Sequence, residues 1–382
     1  MIYDNNEIGI GQESNNLFVI SHLGQLLQIE AFIEHKNLVD NFLVVLYTEH
    51  NMIMPRLIEE RYNDKKFKGI YLFKLSSFPN TLHLKKLFFM RRGYREIIDS
   101  LKPKSLYVLS FEGHYNLLLA YAKLKRGKVF LIEEGTATYK KNMPKIVKGK
   151  KEKLTILFIK YLPFFNSLKI VLTRYVDFDR LYVSFPKLAQ KRFQTTHTEY
   201  FFAYKTIEES SNIKELVSKY NISSNDFIYV NQRYTIQDKE FVSSIVTILM
   251  QFSKYCKGKI FIKMHPKDSR ELIKAFKQQI KIRGIEQTII LINESKFLIE
   301  PTIALVGVRG VIGLTSTVLV YAPMVSSTTK VYSIVPIFLD KVILSSYNQE
   351  GIDTIYEHFE ILQNFEHINI IDDIDTLERL IS

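Results

Sequence analysis

Residues 129–135, Val129-Phe130-Leu131-Ile132-Glu133-Glu134-Gly135, contain the pattern that decides the fold. Four consecutive apolar residues without polar alternation are typical of a strand covered on both faces, as in a parallel sheet. The two acids and the glycine mark the end of that strand, since glycine permits a sharp turn there. This stretch predicts an α/β protein whose polar residues gather at strand ends.

The same pattern recurs along the chain in two series of short apolar strands separated by helical stretches. The strands predicted in the first series are Leu17–Ile20, Phe42–Leu46, Ile70–Phe73, Leu106–Leu109 and Val129–Ile132. Those of the second series are Phe227–Val230, Ile260–Met264, Thr288–Ile292, Val311–Leu314 and Val331–Val335. Two such series predict two doubly wound, Rossmann-like α/β domains facing a central cleft. We expect them to span residues 1–190 and 191–382.

The composition fits two domains of this kind. The chain has 382 residues, of which 46% are apolar and 24% charged, and this excludes a disordered or collagen-like protein. The single cysteine, Cys256, excludes a disulfide framework and a cysteine-based zinc site, and it fits a reducing cytoplasm. No signal peptide is expected, because Asp4, Glu7 and Glu13 interrupt the start.

The positive charge is concentrated in one part of the chain. The net charge is +12, and residues 65–153 contain 22 basic and 6 acidic side chains, whereas residues 177–382 contain 24 of each. This asymmetry predicts that the first domain meets a polyanion: nucleic acid, an anionic membrane surface or an acidic polysaccharide.

One apolar stretch, Leu154–Tyr175, raises the question of a membrane. Lys160, Pro163 and Lys169 interrupt it, so it is too broken to span a bilayer. It follows a lysine-rich segment, so it could lie on an anionic leaflet or pack as a helix on the domain core.

Three motifs at predicted strand ends could carry chemistry. At Glu133-Glu134, mutual repulsion and burial raise a carboxyl pKa, so one acid could act as a base near neutral pH; a helix N-terminus would also favour acids. His265, before Pro266 and beside Lys263, could donate a hydrogen bond to a phosphate or protonate it, or be an ordinary turn residue.

The third motif, Thr315-Ser316-Thr317, places three hydroxyls at a helix N-terminus, which suits a phosphate but equally an N-cap. Glu300, before Pro301, could accept hydrogen bonds from a ribose diol or be a first-turn helix acid.

In this order, the acid-acid-Gly, His-Pro and Ser-Thr motifs resemble those of the bacterial sialyltransferases, which have the two-domain GT-B fold. The resemblance covers the motifs from about residue 131 to 317 and is strongest to the capsular polysialyltransferases, with the lipooligosaccharide sialyltransferases next. It implies an inverting transfer of sialic acid from CMP-sialic acid to a sugar hydroxyl.

The resemblance also implies a role for each motif. Glu134 is the favoured general base and Glu133 the second candidate, while His265 contacts the CMP phosphate and assists its departure. The further donor-binding residues are Lys263, Pro266, Glu300, Thr315, Ser316 and Thr317.

No metal or other cofactor is expected, because CMP-sugars carry a single phosphate that His, hydroxyls and a helix dipole can stabilise. Asp177-Phe178-Asp179 has the spelling of a metal motif. It follows no clear strand and is far from the other motifs, so we assign it no metal.

The basic segment is then expected to bind the acceptor, because polysialic acid carries one carboxylate per sugar. A cationic groove would bind several sugars of a long acceptor. The candidate acceptor-binding residues are Lys66, Lys68, Lys85, Arg91, Arg92, Arg95 and His114.

The resulting prediction is a polysialyltransferase of capsule synthesis, peripheral on the cytoplasmic face of the cell membrane or within a capsule-assembly complex. The alternative enzyme is a lipooligosaccharide mono-sialyltransferase acting on galactose, which needs no long cationic groove. A non-catalytic nucleic-acid-binding protein is a third reading. The first half contains no recognisable recognition helix or RNP-type aromatic motif, so we expect no nucleic-acid partner.

Overall fold

A computed structural model describes residues 2–3, 15–48, 53–60, 66–75, 84–111, 114–140, 145–147, 149–151, 153–154, 174–205, 211–265, 268–294, 297–342, 345 and 347–381. The chain divides into two compact units, Met1–Ile207 and Glu208–Ser382. Each contains a parallel sheet with helices between its strands, which confirms the predicted α/β class.

The first unit is built on an eight-stranded sheet of order β1-β4-β3-β2-β5-β6-β9-β10, and β7 and β8 form a separate pair. The strands are β1 (Ile2–Tyr3), β2 (Asn16–Ile20), β3 (Asn41–Thr48), β4 (Gly69–Leu75), β5 (Ser105–Val108), β6 (Lys128–Ile132), β7 (Lys145–Val147), β8 (Arg174–Val176), β9 (Arg180–Val183) and β10 (Thr198–Tyr200). The helices are α1 (Leu23–Lys36), α2 (Ile53–Glu60), α3 (Leu84–Leu101), α4 (Tyr115–Leu124) and α5 (Pro186–Phe193).

The second unit has a six-stranded sheet of order β13-β12-β11-β14-β15-β16. Its strands are β11 (Phe227–Val230), β12 (Ile260–Lys263), β13 (Ile289–Ile292), β14 (Gly310–Gly313), β15 (Lys330–Ser333) and β16 (Ile368–Ile370). Its helices are α6 (Ser211–Tyr220), α7 (Asp238–Ser253), α8 (Arg270–Ile282), α9 (Ile299–Val306), α10 (Val318–Val325), α11 (Val335–Leu339), α12 (Gln349–Leu362) and α13 (Ile374–Ile381).

The strands are covered on both faces, as their apolar sequences predict. Every residue of β2, β3 and β11 is buried. In the first core the rings of Phe18 and Tyr107 stack with centroids 4.7 Å apart, which joins the neighbouring strands β2 and β5.

The first unit continues past residue 190, where the sequence suggested a boundary. Residue 190 lies within α5, and β10 pairs in parallel with β9, so residues 198–200 belong to the first sheet. The contacts divide after Ile207.

Because each sheet is parallel, all of its carboxyl ends lie along one edge. In the first sheet β2, β5 and β6 are consecutive neighbours. In the second, the chain runs outward from β11 through β12 to β13, and then β14 begins on the other side of β11. The β11/β14 border is therefore a topological switch point, where doubly wound proteins bind ligands.

Candidate active site

The two acids after β6 have different surroundings. The Glu133 side chain is buried, 5% exposed, and its Oε2 accepts hydrogen bonds from the Tyr139 hydroxyl at 2.5 Å and from the backbone N–H of Ser184. Burial raises the pKa of Glu133 to about 7, against the opposing effect of these donors. Glu133 therefore ties the end of β6 to Tyr139 and to the end of β9.

Glu134 is accessible, with 34% of its side chain exposed. Its Oε1 accepts hydrogen bonds from His22 Nε2 at 2.7 Å and from Gln25 Nε2 at 2.9 Å. Of the two acids, Glu134 is the one that can meet a substrate without unfolding its surroundings. Gly135 is extended, with φ 169°, and the chain bends there before the 3₁₀ helix Thr136–Tyr139, in agreement with the change of direction predicted at this glycine.

His22 and Gln25 are the residues of this site that motif analysis missed. His22 follows β2 by two residues and is the N-cap of α1, and β5 alone separates β2 from β6 in the sheet. Neighbouring strands are about 4.8 Å apart, so the ends of β2 and β6 are ~10 Å apart, a gap that two side chains can bridge. The signal available in the sequence was a polar pair, Ser21-His22, directly after an apolar strand.

His114 lies near the same edge, between β5 and α4, but it is buried. Only 6% of it is exposed, and its Nδ1 is 2.6 Å from the hydroxyl of Tyr94. Burial lowers the pKa of His114 to about 4, so the ring is neutral at physiological pH. The predicted acceptor-binding His114 thus packs against α3 and carries no positive charge.

Two of the basic acceptor candidates lie away from this edge. Lys66 and Lys68 precede β4, at the amino-terminal edge, and form ion pairs with Glu34 at 2.7 Å and with Asp40. On α3, Arg92 pairs with Glu96 at 2.7 Å.

Arg95 pairs with Asp99 at 3.4 Å and Arg91 donates to the Tyr121 hydroxyl at 3.2 Å. Lys85 belongs to α3, but its side chain lies outside the described residues. The structure therefore distributes these cations along α3 and at the opposite edge of the sheet.

In the second unit, polar side chains meet at the switch point. Gln232 and Tyr234 follow β11, and Thr315 follows β14. The Gln232 Oε1 accepts from the Thr315 N–H at 2.8 Å, and the Tyr234 hydroxyl is 2.5 Å from Thr315 Oγ1. These bonds hold the hydroxyl motif against the loop that follows the central strand.

The rest of the hydroxyl motif opens α10. Ser316, which precedes the N-cap residue, is buried, and its Oγ accepts from the Val318 N–H at 3.3 Å, the first N–H of α10. Thr317 is the N-cap residue and is partly exposed. Glu300 is partly buried in the first turn of α9.

His265 lies on the other side of β11, two residues after β12. Its backbone N–H donates to Asp268 Oδ2 at 2.7 Å, and the same oxygen accepts from Asn231 Nδ2 at 2.8 Å. The ring is partly buried, and Pro266 lies outside the described residues. One strand separates β12 from β14, so the His265 and Thr315 loops begin ~10 Å apart.

Lys263 lies within β12 and faces inward. It is 6% exposed, and its Nζ donates to the Met264 carbonyl at 2.7 Å. Burial lowers the pKa of Lys263, while Asp268 and Glu294 act in the opposite direction.

A cavity of about 430 Å³ opens beside the switch point. Its lining residues are Gln232, Arg233, Tyr234, Thr235, Ile236, Asp238, Phe241, Ser269, Leu272, Tyr347 and Thr354. The cavity thus adjoins Thr315 through Gln232 and Tyr234.

In the Asp177-Phe178-Asp179 segment, the second aspartate forms a hydrogen bond within the first sheet. Asp179 Oδ2 accepts from the Val129 N–H at 2.7 Å, at the amino end of β6 and on the edge opposite Glu134. Within the ranges described above, no cluster of three or more His, Cys, Asp or Glu residues could hold a metal ion.

Comparison with known families identifies the chain. A family model described as alpha-2,8-polysialyltransferase (POLYST) matches residues 16–335, which include every motif discussed above and all strands of the two sheets except β1 and β16. The chain belongs to the alpha-2,8-polysialyltransferase family. The resemblance inferred from the motifs is confirmed, and the protein is an enzyme of the glycosyltransferase type. A comparison with curated protein sequences found no match.

Solved structures similar to this polysialyltransferase share its fold at low identity. UDP-GlcNAc 2-epimerase from Methanocaldococcus jannaschii is 12% identical with a TM-score of 0.55, over 95% of this chain and 90% of that one. TcCGT1 in complex with UDP is 11% identical with a TM-score of 0.54, over 97% and 90%. UDP-GlcNAc 2-epimerase from Neisseria meningitidis, bound to UDP-GlcNAc, is 12% identical with a TM-score of 0.51, over 92% and 93%.

These similarities agree with a GT-B fold made of two Rossmann-like domains. In the polysialyltransferase, none of the helices in the described ranges is both long and apolar enough to cross a bilayer. The apolar stretch Leu154–Tyr175, which the sequence placed on a membrane surface or on the core, lies almost entirely outside those ranges.

Proposed function

We propose that this polysialyltransferase moves sialic acid from CMP-sialic acid onto the non-reducing end of a polysialic acid chain, with Glu134 as general base and inversion at the anomeric carbon. The observation that carries the proposal is Glu134 itself. It is a partly exposed carboxylate at the carboxyl edge of a Rossmann-like sheet, in a chain of the polysialyltransferase family.

In the proposed step, Glu134 takes the proton of the acceptor hydroxyl as the hydroxyl oxygen attacks the anomeric carbon of the donor. The bond between that carbon and the phosphate oxygen breaks, and CMP leaves with the electron pair. Glu133 is the weaker candidate for the base, because its side chain is buried and its Oε2 already accepts hydrogen bonds from Tyr139 and Ser184.

The second unit would hold the donor. His265 would donate a hydrogen bond to the CMP phosphate and assist its departure, with Ser316 and Thr317 holding the phosphate at the start of α10. Glu300 in the first turn of α9 would accept hydrogen bonds from the ribose. Two of the similar structures were solved with UDP or UDP-GlcNAc bound, which supports a nucleotide-sugar as the donor class.

No metal enters this scheme, because the single phosphate of CMP can be neutralised by His265, hydroxyls and the dipole of α10. We expect the transfer rate to be unchanged by EDTA.

We further propose that the enzyme works at the cytoplasmic face of the membrane in capsule synthesis. Lys150 and Lys153, which are exposed, belong to the lysine-rich segment before the apolar stretch and support attraction to an anionic surface. Co-sedimentation with vesicles of phosphatidylglycerol, but not of phosphatidylcholine alone, would be the expected result.

The function is tested by incubating the purified protein with CMP-sialic acid and either labelled oligosialic acid or lactose. Stepwise extension of oligosialic acid is expected. Transfer to lactose alone would favour the lipooligosaccharide enzyme. Retention on DNA at physiological salt without turnover of CMP-sialic acid would favour a non-catalytic polyanion-binding protein.

A further inference from the structure

We propose that His22 and Gln25, on the first turn of α1, position the Glu134 carboxylate for proton transfer. The proposal rests on the proposed role of Glu134 as the base. It assigns to the loop after β2 a part in the reaction that none of the recognised motifs contains.

Both side chains donate to the same oxygen of the carboxylate. Glu134 Oε1 accepts hydrogen bonds from His22 Nε2 at 2.7 Å and from Gln25 Nε2 at 2.9 Å. In the described part of the chain, Oε2 has no hydrogen-bond partner. One oxygen is thus held in place while the other is left to receive a proton.

Both donors are themselves fixed. The Gln25 side chain is 2% exposed, and its Oε1 accepts from the Ser21 N–H at 2.7 Å and from the Ser21 hydroxyl at 3.2 Å. The amide orientation is therefore set, and its NH₂ must point to Glu134. Gln28 adds a bond from its Nε2 to the Glu134 carbonyl at 3.1 Å, so the same helix holds the backbone of the acid.

The tautomer of His22 follows from its second contact. His22 Nδ1 accepts the Gln25 N–H at 3.4 Å as the N-cap of α1, so Nδ1 carries no proton. The proton of the neutral ring is then on Nε2, which donates to Glu134. In this form His22 has no lone pair directed at a substrate, so it is a positioning residue and Glu134 remains the base.

Because two donors hold the Glu134 carboxylate, its Oε2 points in one direction, whereas a carboxylate without such hydrogen bonds would adopt many orientations. Losing such a supporting contact typically lowers a rate about 10- to 100-fold. The loss should fall on kcat, because neither residue is needed to bind CMP-sialic acid.

Two substitutions of His22 separate its functions. In His22→Asn, the short amide oxygen can still cap α1 but its NH₂ cannot reach Glu134. In His22→Gln, the amide nitrogen reaches about as far as Nε2 and can still donate to Glu134, while the cap is weakened. Gln25→Leu removes the second donor.

We expect His22→Asn to lower kcat for sialyl transfer about 10- to 100-fold with KM for CMP-sialic acid within about threefold of wild type, and His22→Gln to retain most of kcat. Wild-type kcat in both His22→Asn and Gln25→Leu would overturn the proposal, as would a loss in His22→Gln equal to that in His22→Asn. Thermal unfolding should rank the variants differently, with His22→Gln the less stable.

The same assay keeps the two proposals distinguishable. If Glu134→Gln loses activity while His22→Asn and Gln25→Leu do not, the positioning role fails and the base remains. If the wild-type protein transfers no sialic acid, it is the proposed function that fails.

Discussion

Replacing Glu134 by glutamine removes the proposed base and preserves most of its surroundings. The amide oxygen of Glu134→Gln can accept the same bonds from His22 and Gln25 that Oε1 accepts. The new NH₂ takes the position of Oε2, which is unpaired within the described ranges. Loss of activity in this variant would therefore report on proton transfer.

Glu134→Gln should change the free energy of unfolding by several kcal/mol less than it changes the activation free energy of the reaction. One third of the Glu134 side chain is exposed, 34%, and both bonds to Oε1 can be kept, so the free energy of unfolding should change by less than about 1 kcal/mol. A general base contributes about 10²- to 10⁴-fold, equivalent to ~3–5 kcal/mol of transition-state stabilisation. The loss should appear in kcat, with little change in KM for CMP-sialic acid.

The assay is the initial rate of CMP release with saturating CMP-sialic acid and oligosialic acid, with thermal unfolding measured on the same preparations. Glu357→Gln, at an exposed position of α12, is the matched control and should keep the wild-type rate. A folded Glu134→Gln protein with a rate within about threefold of wild type would refute Glu134 as the base.

Three further outcomes are expected. Burial raises the pKa of Glu133 from 4.5 to about 7, so the stability of the wild-type protein falls as pH rises through that range. The free energy of unfolding of Glu133→Gln should therefore rise relative to that of wild type by up to ~3 kcal/mol between pH 5 and 8. A difference in melting temperature that stays constant over this range would contradict the expectation. Thr315→Val loses the 2.5 Å contact with Tyr234 and should unfold ~1–2 kcal/mol more easily and bind CMP-sialic acid more weakly, as denaturation and KM would show. Raising salt from about 50 to 200 mM should lower kcat/KM more for long than for short oligosialic acids, whereas equal losses would count against a cationic acceptor site.

The strands were largely predictable, because doubly covered strands are continuous apolar runs. All ten predicted strands occur, with ends shifted by at most a few residues, and Phe227–Val230 has the predicted bounds. Six strands of the described residues were missed: β1, β7, β8, β9, β10 and β16. They are two to four residues long, and several contain charged residues, such as Arg180 in β9 and Glu199 in β10. Their membership of a sheet depends on neighbours, which a local pattern does not contain.

The site was only partly predictable for a related reason. A polar residue after an apolar strand pointed to Glu134, His265 and Thr315, and the same rule applied to His22 would have placed it at a strand end. It could not have placed His22 beside Glu134, 112 residues away, because that requires the order β2-β5-β6.

The basic residues show where sequence reasoning had least power. Net charge locates a cationic segment, but it does not say which edge of the sheet a lysine lies on. Lys66 and Lys68 precede their strand and therefore lie at the edge away from Glu134, each beside an acid. His114 follows its strand, but it is buried against Tyr94, so a position after a strand did not expose its ring to an acceptor.

The amino-acid sequence alone determined the class of fold, the polysialyltransferase motifs and the candidate base, because apolar periodicity and residue order are local properties of the chain. The tertiary structure decided which of the two adjacent acids is accessible, which side chains hold it, and how the loops meet at the switch point. Those outcomes depend on strand order and burial, and they arise only when residues far apart in the chain compete for the same space and the same hydrogen bonds.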